Sequence, residues 1–280
     1  GGRARLLARV GGDPAAGVAL AAATQAGVDL SAVQRDPERA TGVCLIMVSA
    51  NAERTFLSYR GANAFLAAPP ASIWEGVRQV HVCGHALLGG RQRDTTVALV
   101  AEASRRRLPL SLDLCLPLLR SATADLDLLW PRFDIVFANE VEFHRLVLGE
   151  TATLPEPGER LDEAAEWLKR RGARTLVVKR GALGSTIVTD ARRDIAPFVV
   201  GALDTTAAGD AFVAGFLWAT AAALAAPISA RLANAMGALK AARAGSADVL
   251  PSRAELAKFL GEHGATAELA HLESAQSDST

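Results

Sequence analysis

Neither sign of charge is in excess. Thirty lysines and arginines stand against 30 aspartates and glutamates, giving a formal net charge of zero over 280 residues. Without a basic surplus the chain has little long-range attraction for a polyanion, which argues against nucleic acid as a partner. The run Arg105-Arg106-Arg107 has no interleaved aromatics and reads as a solvated helix end. Cysteine is scarce too: Cys44, Cys83 and Cys115 are the three present, without CxxC spacing. Their apolar or strand-like surroundings point to buried, reduced thiols and a cytoplasmic protein. No secretory leader is visible. No Gly-x-x-x-x-Gly-Lys-Ser/Thr occurs, so the P-loop route to nucleotide binding is closed. The uncharged run from Ala211 to Ala230 reaches membrane-spanning length, but it is rich in Ala, Gly and Thr and is broken by Pro227. It reads as a buried helix, and no membrane partner is expected.

What the chain does have is apolar mass. Half its residues are hydrophobic, enough for one large α/β domain or two small ones. Asp13-Pro14 before Ala15–Ala26 and Gly27 spells a helix with an N-cap, a first-turn proline and a terminating glycine. Leu6–Val10 reads as a strand, and Val43–Val48 with Thr55–Tyr59 as a hairpin. From there strands and helices alternate. Gln79–Cys83, Leu108–Leu112, Asp134–Phe137 and Thr175–Lys179 are the strands, and Asp94–Arg107, Glu140–Leu148 and Leu161–Arg171 the helices. That alternation predicts a doubly wound, mostly parallel sheet flanked by helices. A second hairpin is expected from Ser185–Thr189 and Ile195–Val199, then helices over Ala211–Ala226 and Ser229–Ala244. A further helix begins after Pro251-Ser252. The polar tail beyond Gly264 is expected to be disordered.

The chemistry concentrates at Asp204-Thr-Thr-Ala-Ala-Gly-Asp210, which opens into the apolar helix. Small residues at a helix mouth leave N–H groups uncovered and attractive to phosphate, with the Asp210 carboxylate at the edge. A base beside an anion cradle suits phosphoryl transfer to a hydroxyl. The competing reading is a plain cap by Asp204, Thr205 and Thr206. With the elements in this order, the chain resembles the ribokinase-like carbohydrate kinases of the PfkB family from about Leu6 to Leu260. The Asp204–Asp210 segment is similar to the family's C-terminal signature, with Ala207 where many members have Gly.

The resemblance implies a ribokinase-like α/β fold with a small β-lid, and ATP and Mg²⁺ as cofactors. Asp210 would be the base that takes the proton from the acceptor hydroxyl, and the amides of Ala207, Ala208 and Gly209 the anion hole. Asn139-Glu140-Val141-Glu142 resembles an Asn-x-x-Glu motif, in which Asn139 reaches the nucleotide and Glu142 organises Mg²⁺ through water. Two ordinary residues at a helix start would look the same. Leu176-Val-Val-Lys-Arg-Gly-Ala-Leu-Gly184 resembles the strand and glycine turn beside ATP, with Lys179 on phosphate and Gly181 and Gly184 letting the chain pass close. A tight hairpin would need the same glycines. Asn234 would lie near adenine or ribose. Asp204, the Thr206 carbonyl and Gly245 are where relatives hold a monovalent cation, which makes potassium a further candidate.

For the acceptor, a small sugar, the resemblance offers Arg60 and Asn63 at the end of the lid hairpin, about residues 43–62. Such a lid would exclude water from the transferred group. A homodimer through the lids follows by analogy. Gly61-Ala62-Asn63 leans toward ribokinase-like acceptors; Tyr59-Arg60 and Asp113 with Pro117 lean toward fructose or keto-deoxy-gluconate, and a nucleoside stays open. Relatives also carry an acidic residue after a first strand and an asparagine after Gly-Gly. Here Gly1-Gly2 runs almost directly into Leu6–Val10, so the kinase domain, residues 1–264, is expected to be N-terminally incomplete, with a tail over 265–280. Two rival functions remain. His81, Cys83 and His85 alternate as zinc ligands could. A catalytically silent sugar- or nucleotide-binding module would retain the fold without needing Asp210.

Overall fold

The structure, a computed structural model, describes residues 2–49, 54–121, 123–149 and 153–275. Its chain falls into two units, one of Gly2–Val77 and Ala86–Glu102, the other of Arg78–His85 and Ala103–Thr280.

In the first unit β1 (Arg9–Gly11) pairs in parallel with β2 (Gln34–Asp36) around α1 (Pro14–Gln25). The helix starts as its sequence dictates: the Asp13 carboxylate accepts from the Ala16 amide at 3.2 Å and Pro14 fills the first turn. The strand expected over Leu6–Val10 is shifted. Leu6 instead donates its amide to the Asp29 carbonyl, and only from Arg9 does a ladder form. β3 (Val43–Val48) and β4 (Arg54–Tyr59) make the expected antiparallel hairpin, whose connecting residues 50–53 lie outside the described ones. Successive pairs point to opposite faces. Leu45 with Leu57 lines one face and Ile46 with Phe56 the other, and all four are exposed.

The second unit is built on a six-stranded sheet in the order β10-β9-β8-β7-β6-β5. In sequence order come β5 (Val80–Cys83), α2 (Gly90–Arg105, which belongs to the first unit as far as Glu102), β6 (Leu110–Asp113), α3 (Leu116–Ser121), α4 (Thr123–Leu129), β7 (Ile135–Asn139), α5 (Glu140–Leu148), α6 (Glu163–Arg171), β8 (Thr175–Lys179), β9 (Ser185–Val188) and β10 (Arg192–Ile195). β5 to β8 are parallel, and β9 and β10 add antiparallel strands. Central strands covered on both faces need near-continuous apolar runs. Val136, Phe137 and Ala138 of β7 and Leu176, Val177 and Val178 of β8 are completely buried.

Four helices close the chain: α7 (Ala208–Ala221), α8 (Ala226–Ala241), α9 (Arg253–Glu262) and α10 (Thr266–Ser274). Phe212 and Phe216 of α7 pack with Phe137 and Val177 of the sheet and Ala230 and Ala233 of α8. The Phe137 and Phe216 rings meet edge to face at 5.3 Å. α7 starts three residues earlier than its apolar run suggests, so Asp210 belongs to its first turn. None of the helices is long and apolar enough to cross a membrane, among the described residues.

Several expectations are corrected. The second hairpin returns through Arg192–Ile195 rather than Ile195–Val199, because β10 is a sheet edge that exposes Arg193 and Asp194 to water. The apolar Phe198 is drawn instead into a cluster with Leu232, Leu256 and Phe259. The tail is not disordered from 265: α10 is held by Leu272 in that cluster and by a Glu268–Arg231 ion pair at 3.2 Å. Residues 276–280 lie outside the described ones. α3 and α4 stand where no element was expected. Of the cysteines only Cys115 is buried; Cys44 sits on the open hairpin and Cys83 at the end of edge strand β5, and all three are free thiols.

Candidate active site

The carboxyl ends of parallel strands are where an open α/β sheet gathers its polar side chains. Here β5 ends at Cys83, β6 at Asp113, β7 at Asn139 and β8 at Lys179. Because Phe212 and Phe216 pin α7 to the sheet, its amino end falls at this same edge. The Lys179 Nζ lies 3.6 Å from where a Cβ on Gly209 would sit. Lys179 also forms an ion pair with Asp113, Nζ to Oδ1 at 2.6 Å. Asp210 is exposed one residue further along α7.

The α7 start is open. The Ala208 amide reaches the Thr205 carbonyl at 3.2 Å, while among the described residues those of Ala207, Gly209 and Asp210 have no acceptor. Ala207 has φ 59° and ψ 7°, a left-handed conformation that turns the chain abruptly into the helix. Asp204 fixes the approach, one carboxylate oxygen accepting from the Thr206 amide at 2.9 Å and the other from the Gly245 amide at 3.3 Å. These bonds hold its carboxyl down at about 2.

Asn139 and Glu142 form a capping box on α5. The Asn139 Oδ1 accepts from the Glu142 amide at 2.8 Å, and the Glu142 Oε2 from the Asn139 amide at 2.7 Å. The cap reading of this pair is therefore satisfied in full. Yet Glu142 is also almost fully buried, and burial pushes its carboxyl up to about 7 against the opposing Asn139 amide and Lys179. An ordinary surface cap has no such shift.

Other expected residues have protein partners of their own. Gly184 (φ 84°) is required by close approach, since a Cβ there would collide with the Ile195 carbonyl of the hairpin return. Gly181, at φ 53°, faces open space. Asn234 is buried and its Nδ2 donates to the Ala196 carbonyl at 2.9 Å. Arg60 and Asn63 belong to the first unit. Arg60 reaches the Gln92 Oε1 at 2.6 Å and the Gly89 carbonyl at 3.2 Å, and Asn63 accepts from the Arg9 amide at 3.1 Å. Both line a cavity of about 340 Å³ with Arg9, Thr41 and Tyr59. A second cavity, about 240 Å³, opens at the amino ends of the sheet strands beside Leu110 and Ile135, away from Asp113 and Asn139 at the other end. Among the described residues no group of three or more His, Cys, Asp or Glu side chains is arranged to hold a metal ion. His81, offered above to zinc, bonds the Ser111 hydroxyl at 2.9 Å, and Cys83 faces the His85 Nδ1 at 3.6 Å.

Residues 1–269 match the family described as pfkB family carbohydrate kinase. The chain belongs to that family. Its members are phosphotransferases with an alcohol group as acceptor, and this kinase shares their ribokinase-like fold. The chain is 30% identical over 262 residues to the ATP-dependent ribose-1-phosphate kinase of Halopiger xanaduensis, an alignment covering 92% of this chain and 81% of that protein. A provisionally assigned ribokinase II from E. coli, solved with ATP and Mg²⁺, superposes with a TM-score of 0.79 at 22% identity over 94% of this chain and 84% of that one. A double mutant of fructokinase from Vibrio cholerae O395, solved with fructose, ADP and potassium, gives 0.75 at 24% over 92% and 85%.

Two side chains of this region were not singled out as site residues from the sequence. Asp113 bears there only on the choice of acceptor, although a carboxylate at the last position of a buried parallel strand is itself a signal. Lys240 is the other, a fully buried cation within the apolar run Ala-Met-Gly-Ala-Leu-Lys of α8.

Proposed function

We propose that this kinase transfers the γ-phosphoryl group of ATP to a hydroxyl of a small carbohydrate. The observation that carries the reading is the open amino end of α7, with a carboxylate, Asp210, beside uncommitted amides and the Lys179 ammonium next to Gly209. Asp210 takes the proton as the acceptor oxygen attacks phosphorus and the bond to the leaving ADP oxygen breaks. The amides of Ala207 and Gly209, joined by that of Ala208 as it leaves the Thr205 carbonyl, hold the oxygens that gain charge, donors being worth most where they are fixed in advance. Lys179 holds the donor's phosphates, and Asn139, Gly181, Gly184 and Asn234 border the nucleotide. Arg60 and Asn63 bind the sugar beneath the β3–β4 lid, and exposed apolar side chains on both faces of that hairpin support a homodimer through it.

Glu142 fits a Mg²⁺ ion. It offers a buried carboxylate with Oε1 outside the capping box, and a hard cation that keeps most of its waters needs few protein oxygens. The ion supplies charge neutralisation at the phosphates when bound. Potassium fits less well, because the Asp204 carbonyl already accepts from Lys240 at 3.3 Å.

The test is ADP release from wild type and Asp210→Asn against ribose, ribose 1-phosphate, fructose, keto-deoxy-gluconate and nucleosides. Loss of a positioned base predicts a fall in kcat of about 10²- to 10⁴-fold with nucleotide affinity retained. Turnover that survives in the variant contradicts the mechanism, and ATP binding with no turnover of any acceptor supports the silent module instead.

A further inference from the structure

Lys240 presents a problem that the kinase chemistry leaves untouched. It has no exposed surface, and an ammonium is tolerated there only where oxygens replace its water. Its Nζ donates to the Asp204 carbonyl at 3.3 Å and to the Arg243 carbonyl at 3.2 Å. One of these carbonyls begins the turn into α7; the other belongs to the loop after α8. The Asp204 carboxylate spans the same gap through the Thr206 and Gly245 amides. Arg243 is in turn held by Glu255 at 2.6 Å, which ties the loop to α9. Backbone carbonyls in such a cluster are what a dehydrated monovalent metal ion binds, so an ion and an ammonium compete for the same lone pairs.

We propose that Lys240 is a tethered cation standing in for a monovalent metal ion. It draws the Asp204 and Arg243 carbonyls together and so sets the turn that presents the α7 amides, which leaves this kinase without a potassium requirement. Lys240 acts through the turn and is a positioning residue, not a catalytic one. The proposal rests on the phosphoryl-transfer reading of the α7 amino end.

The test replaces potassium by sodium and then by tetramethylammonium at constant ionic strength. Unchanged kcat and KM for ATP in wild type are expected, and activation by potassium overturns the proposal. Crystals soaked in thallium(I) give a readout that needs no turnover. No anomalous peak is expected among Asp204, Thr206 and Gly245, and a peak there overturns the proposal. If no acceptor is phosphorylated in any salt, the kinase reading has failed, and the thallium result still decides this one. Lys240→Met, with its fold checked by circular dichroism, should lose about 10- to 100-fold in kcat, the scale on which supporting contacts act on a site. A folded Lys240→Met protein with the full wild-type rate in potassium-free buffer overturns it as well.

Discussion

Ala207 pays for the open helix start with its backbone. Its φ of 59° costs an L-residue with a Cβ about 1–2 kcal/mol, which glycine avoids at an entropic cost of about 0.5–1 kcal/mol. Ala207→Gly should therefore stabilise the protein by about 0.5–1 kcal/mol, read from denaturant midpoints at unchanged slope. Glu142 supplies the clearest pH signature. Its folded carboxyl titrates at about 7 and its ordinary value is 4.5, so between these the folded state keeps a proton that the unfolded chain has released. Stability from this group is thus greatest below about 4.5, falls as pH rises, and has been lost above about 7. Glu142→Gln keeps the capping geometry and removes the titration. The melting temperature of wild type should fall more steeply than that of the variant between about pH 5 and pH 7.5, in scans without Mg²⁺. A parallel slope in the two proteins would show that burial does not hold the proton there.

The elements were legible wherever local chemistry and burial agree. Asp13-Pro14 and Pro251-Ser252 mark their helices in the sequence, and both Asp13 and Ser252 cap them in the structure, Ser252 in a box with Glu255. Ser252→Ala should cost about 1 kcal/mol in thermal unfolding, through loss of the capping box. The buried strands β7 and β8 were recognisable from their apolar runs because nothing else in the chain explains them. β10 was misplaced because an edge strand needs no apolar side chains, so periodicity carried no signal there. The α7–α8 contact was out of reach for another reason: it depends on Gly215, where a Cβ would approach the Met236 Cγ to 2.9 Å, and no local pattern reveals that a helix glycine faces a neighbour. Gly215→Val should destabilise by about 1–3 kcal/mol, with the loss measured as a lower urea midpoint. Asn139 and Glu142 were readable as a pair but not in role, since a cap and a ligand share the same spacing. Lys240 was invisible as a contact because its partners are backbone carbonyls, which any residue type can supply.

For the molecule as a whole, assembly turns on the β3–β4 hairpin. A two-stranded ribbon with Leu45, Ile46, Phe56 and Leu57 all exposed is marginal in water by itself. Association through it predicts a dimer in sedimentation equilibrium, which Leu45→Glu with Leu57→Glu should convert to monomer. A monomeric wild type at micromolar concentration would remove the proposed lid contact.

The opposite situation holds at the β10 border. Arg192 is clamped to Asp194 at 2.8 Å, and Arg193 is exposed between them, so the outermost backbone row is flanked by fixed charges of both signs. A foreign strand seeking to add there would have to strip water from those groups. Crowded expression of this kinase is thus safeguarded on that flank, and replacing Arg192, Arg193 and Asp194 by threonine should convert a clear lysate into a turbid one.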